Sequence, residues 1–159
     1  MRRVLCGLIF LTACGRDLTA PATDLLVTAS ASRDSFRVGD TVTVRVTVFN
    51  RSSQPQTIGG DFCGFLGFEV TTSDGSVVGP GSVFCSAILI LKTLAPGDQY
   101  SENQVWTGSA IGNGAGTQPQ MLSPGAYIVT GGVSPLSPEG SAEAPRVIEY
   151  VPAQVTITP

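Results

Sequence analysis

Four valines set the frame of the chain: Val42, Val44, Val46 and Val48 alternate with Thr43, Arg45 and Thr47. A period of two places every valine on one face of a strand and the polar residues on the other. A helix would scatter the same valines around its circumference. The stretch therefore reads as a half-buried strand, dry on one side and wet on the other. Gly39-Asp40 ahead of it and Asn50-Arg51-Ser52-Ser53 behind it supply turn residues at both ends.

The same pattern extends in both directions. Leu25 to Ser30 is a first strand with Leu25, Val27 and Ala29 inward, and Asp34 to Asp40 is the turn that joins it to the valines. After Pro55, Gln56 to Ile58 continues as a strand, and Phe65 to Thr72 holds another with Phe68 and Val70 on one face. Ser73-Asp74-Gly75-Ser76 is a hairpin signal. Val83 to Leu94 stays open between a buried strand and a short helix, because Ala87 to Leu91 is continuously apolar; its length and the Pro96-Gly97 stop favour a strand. Gln99 to Thr107 and Ala126 to Val133 are further strands. Val147 to Thr158 is the last, interrupted at Pro152, where proline fits an edge or a bulge. Gly108 to Gln120 and Ser134 to Pro145 lack a hydrophobic pattern and read as long loops.

About seven to nine short strands with turns at intervals of roughly ten residues make an all-β, antiparallel β-sandwich. Asp40 to Ser53, Phe68-Glu69-Val70 ahead of Asp74-Gly75, Leu94-Ala95-Pro96-Gly97-Asp98, Trp106 and Ser123-Pro124-Gly125-Ala126-Tyr127 occur in an order that resembles the intracellular proteinase inhibitor (BsuPI-like) family of Ig-like domains. The likeness runs from about Leu25 to Val133. It implies a single Ig-like sandwich over residues 24–159 and, by the family's name, inhibition of a serine protease. The shared residues are turn and core positions, so the resemblance assigns no inhibitory residue here.

The first residues follow a different logic. Arg2 and Arg3 form a positive region, Val4 to Thr12 is a short apolar run, and Leu11-Thr12-Ala13-Cys14 sits where a signal peptidase cuts. The apolar run falls far short of the ~20 residues that span a bilayer. Small residues ahead of Cys14, with Gly15 after it, resemble the lipobox of bacterial lipoproteins. That resemblance implies a diacylglyceryl thioether on Cys14, cleavage before it, and acylation of the new amino terminus; the competing reading is an ordinary secretory signal. Residues 1–13 are then a cleaved signal peptide and residues 14–23 a polar, lipidated tether. Two or three acyl chains anchor stably. Gly15 is not the aspartate that marks inner-membrane retention, so the expected location is the cell envelope, on the outer membrane if one is present.

Charge narrows the partners. The nine basic residues lose Arg2 and Arg3 with the signal, leaving seven against twelve acidic ones, a net of −5. Lys92 is the only lysine and the arginines are dispersed, which disfavours nucleic acid, since that ligand needs clustered cations.

Cys6 leaves with the signal and Cys14 carries lipid, so Cys63 and Cys85 remain. In an oxidising compartment these two read as one disulfide. Closing their loop of about 23 residues contributes roughly 3 kcal/mol on the chain-entropy model. Two cysteines without a histidine cannot fill a zinc shell, and the redox spacing Cys-x-x-Cys is absent.

The chain has no histidine, which removes Ser-His-Asp and Cys-His catalysis and every imidazole metal site. Asp61 and the pair Asp34 and Asp40 have the oxygen ligands to meet around calcium, but such residues more often cap their own turns. Trp106, Phe62, Phe65 and Phe68 read as core ahead of a ligand platform. No catalysis and no cofactor are expected. The domain reads as a binding module that meets a protease or another envelope protein, with a structural or assembly accessory as the alternative. The Pro135 to Pro145 loop, stiff and carrying Leu136, Glu139 and Glu143, ranks first as the contact surface.

Overall fold

Ten strands form two facing sheets in the computed structural model, which describes residues 24–81, 88–110, 120–136 and 147–159. In chain order they are β1 (Leu25–Ala31), β2 (Ser35–Arg37), β3 (Val42–Asn50), β4 (Gln56–Gly60) and β5 (Leu66–Thr71). Then come β6 (Ile90–Leu94), β7 (Gln99–Trp106), β8 (Gly125–Leu136), β9 (Ile148–Val151) and β10 (Ala153–Thr158). One sheet runs β7-β3-β1-β9; the other runs β2-β10-β8-β4-β6, with β5 also paired to β8. The architecture is an all-β sandwich of two facing sheets.

The valine strand is as its pattern requires. Val42, Val44, Val46 and Val48 are fully buried, and Leu25 and Val27 stack beside them from β1. Across the core lie Ile58, Leu66, Phe68, Val70, Val129, Val155 and Ile157. Phe36 and Phe68 both meet Trp106 edge-on, with ring centroids 5.5 and 6.1 Å apart. The Tyr127 hydroxyl donates to the Ser123 carbonyl at 2.6 Å and ties β8 to the turn that precedes it. At Gly131 a Cβ would lie 2.7 Å from Val46 Cγ1, so only glycine lets the two sheets approach there.

Several expectations need correction. The sheets are mixed: β1 pairs β9 and β10 pairs β2 in parallel. Ser35 to Arg37, read as turn, is a strand because Phe36 is drawn into the core. Asn50 is no loose turn residue. It ends β3 fully buried, with Nδ2 donating to the carbonyls of Gln54 and Leu94 and Oδ1 accepting from Ser52. Of the two readings of Pro152, the edge fits and the bulge does not: β9 is the edge strand of its sheet, and after it the chain enters the other sheet as β10. Ser134 to Leu136 continue β8, because Thr57, Ile58 and Gly59 of β4 pair with them. Of the open Val83 to Leu94 stretch, Ile90 to Leu94 form a strand, while residues 82–87 lie outside the described ones.

Candidate functional site

The end of β4 shows how sequence builds a rigid turn. Asp61 N–H donates to Gly64 O and Gly64 N–H donates to Asp61 O, both at 3.1 Å, leaving Phe62 and Cys63 as a two-residue tip. The Asp61 carboxylate reaches forward and accepts the Cys63 N–H at 2.7 Å. Gly64 has φ +131°, a conformation that side-chain-bearing residues rarely adopt. A Cβ at Gly60 would sit 2.6 Å from Gly64 O, so glycine there lets the two arms close.

β7 fastens the turn from the opposite sheet. Tyr100, Glu102 and Gln104 alternate along it and so share one face. Glu102 Oε1 accepts the Phe65 N–H at 2.9 Å and Oε2 the Leu66 N–H at 3.0 Å. Gln104 Nε2 donates to the Leu66 carbonyl. The Tyr100 hydroxyl donates to Glu102 Oε1 at 2.7 Å. Burial, and then the hydrogen bond and charge of Glu102, push the Tyr100 phenol up to about 12. Lys92 from β6 lays its ammonium over the Tyr100 ring at 4.3 Å and the Phe65 ring at 5.5 Å. Phe65 and Tyr100 meet edge-on at 5.7 Å. Glu102 thus supplies to two consecutive amides the acceptors that a neighbouring strand would otherwise provide.

A base held on both sides carries an exposed tip. Phe62 is 72% exposed, and the groove beside the turn is edged by Ile88, Leu89 and Val105, all more than half exposed. The only charged residues lining that groove among the described ones are Asp61 and Glu69.

The four aromatics considered together in the sequence therefore part ways. Trp106 and Phe68 are core and Phe65 packs against it, whereas Phe62 stands in solvent. Apolarity alone did not separate them; the signal that could have done so is the glycine at 60 and 64 with Asp61 between, which marks a tip too tight to bury. Asp40 accepts from the Arg37 N–H and lies 3.9 Å from Arg33, so it serves its own turn, as Asp61 does. Leu136 belongs to β8 and not to a loop, its Cα paired with that of Thr57. Cys14, Cys85, Glu139 and Glu143 lie outside the described residues. Cys63 lies exposed at the tip beside Phe62.

No model of a known protein family matches the sequence, and neither does any characterised protein. Solved structures match the chain at low identity. The CARDB domain of a Pyrococcus furiosus protein, determined in complex with di-metal ions, is 14% identical with a TM-score of 0.46, over 89% of this chain and 94% of that one. A β-glucosidase from Erythrobacter marinus is 12% identical with a TM-score of 0.47, over 86% of this chain. The match spans 16% of the β-glucosidase, and 31% of a Pseudomonas fluorescens alkylpurine DNA glycosylase that is 11% identical with a TM-score of 0.41.

Proposed function

We propose that this is a lipid-anchored cell-envelope protein whose Ig-like domain binds another protein and performs no chemistry of its own. The observation that carries the binding reading is the Asp61–Gly64 turn. It is fixed by its own hydrogen bonds and by Glu102, yet it leaves Phe62 in solvent. A rigid, exposed aromatic loses little freedom when it is buried in a partner, which is the property of an interaction anchor. The anchoring half of the reading rests on Leu11-Thr12-Ala13-Cys14 and the apolar run before it. Proteinase inhibition is the finer form of the proposal and comes from the family resemblance. A disulfide between Cys63 and Cys85 belongs to the same reading and rests on these being the two cysteines left once Cys6 is removed and Cys14 acylated.

Metabolic labelling with a clickable fatty acid, followed by membrane fractionation, tests the anchor. The natural chain should take the label and sediment with membranes; Cys14→Ser should lose the label and appear in the soluble fraction. Undiminished membrane association of Cys14→Ser would sink the anchoring half. For the inhibitory form, the purified domain is titrated against the serine-protease activity of the same envelope, and an unchanged rate at saturating domain removes it.

A further inference from the structure

We infer that the Asp61–Gly64 turn is the domain's contact point and that Phe62 enters a phenyl-sized apolar pocket with a cationic rim on a protein partner. The inference rests on the interaction reading above and gives it a place and a chemistry. A phenyl ring left 72% exposed at a two-residue tip gains from burial only if the partner offers an apolar cavity of its own size. In the groove beside the turn Ile88, Leu89 and Val105 add further exposed apolar surface, so the contact would be dry at its centre.

The rim follows from charge. Asp61 and Glu69 line the groove beside the tip, and the chain's one lysine, Lys92, is turned onto the Tyr100 and Phe65 rings. Facing surfaces of opposite sign steer encounter and fix register, so arginine or lysine around the partner's pocket is the complementary arrangement. Preorganisation supplies the rest. The turn is closed by reciprocal backbone bonds at 3.1 Å, capped by Asp61 and clamped at its base by Glu102. The partner therefore meets a shape that is already set.

The test uses the full lipidated chain in the cell that makes it, with p-benzoylphenylalanine placed at position 62 as the photo-probe. A second chain carries the probe at Val38, which follows β2 at the opposite end of the β8 sheet. Irradiation should join position 62, and not position 38, to one protein, at an apolar pocket of that protein. With that protein purified, Phe62→Ala should weaken binding by about tenfold or more, as loss of a central aromatic does, while Phe62→Tyr keeps most of the affinity. The melting temperature of Phe62→Ala should stay unchanged, because the ring packs on little of its own fold. Cross-links from position 62 to lipid alone, or an affinity indifferent to Phe62→Ala, overturn the proposal. Protein cross-links from position 38 but none from 62 overturn it and leave the interaction reading standing. No protein cross-link from either position overturns the placement of the contact at the tip.

Discussion

Tyr100 shows how much one side chain on an edge strand can carry. Its hydroxyl is bonded to Glu102, its ring is covered by Lys92 and stands perpendicular to the Phe65 ring, and burial foremost holds its phenol up to about 12. A folded-state value above the ordinary 10 means that the folded chain binds this proton more tightly than the unfolded chain does. The stability so contributed is complete below pH 10 and is lost as pH rises from 10 towards about 12. Denaturant unfolding measured across that window should show a falling free energy, and Tyr100→Phe should flatten the fall. The tyrosinate absorbance of the folded natural protein should gain a step near 12 that the variant lacks. Residue by residue, the sequence was most informative where alternation was strict: Val42 to Val48 and Leu25 to Ala29 face inward as their period requires. It was least informative for Asn50, whose burial depends on carbonyls that other elements bring to it from Gln54 and Leu94.

Among elements, β7 joins the two sheets through side chains. Replacing Glu102 by Gln keeps the shape and removes one acceptor, so an amide NH2 then faces a backbone N–H that needs an oxygen. Leaving one such group unpaired costs about 1–3 kcal/mol. Glu102→Gln should lower the unfolding free energy by about that amount and speed hydrogen exchange at Phe65 and Leu66, while the β1–β3 amides stay protected. Equal acceleration throughout both sheets would mean that Glu102 stabilises the fold at large and not this joint. β7 itself was readable as a strand from Gln99 to Thr107; its clamp was not, because the partner amides lie 36 and 37 residues away. The apolar run Ala87 to Leu91 misled in the other direction. Continuous apolarity implies burial on both faces, but β6 is an edge strand, and Ile88, Leu89 and Leu91 are each more than half exposed. Pairing order decides such burial, and pairing order is not written in any local window.

For the whole molecule, the sandwich and its core followed from period and turn chemistry, whereas the parallel pairs and the sheet change at Pro152 followed from nothing local. The proposed Cys63–Cys85 bond acts on this scale, since it constrains the unfolded chain more than the folded one. Its loop of about 23 residues is worth roughly 3 kcal/mol. Reduction should lower the melting temperature by several degrees, in line with that loss. Alkylation of both cysteines in native, unreduced protein taken from the envelope would show the pairing to be wrong.

The change of sheet at Pro152 also bears on timing. Ile148 lies beside Leu25, 123 residues earlier, and Thr156 beside Ser35, so residues 148–158 are needed to finish both sheets. Contacts across such separations form slowly, because a large loop must be closed before any pairing rewards it. During synthesis the early strands β1 and β2 wait, each with an edge unfilled, until the last described strands emerge from the ribosome. Such a delay would serve the proposed export, since a chain that has not yet folded can thread a narrow channel. It also means that a chain cut short near Val147 would lack the outer strand of one sheet and the strand that joins β2 to β8 in the other.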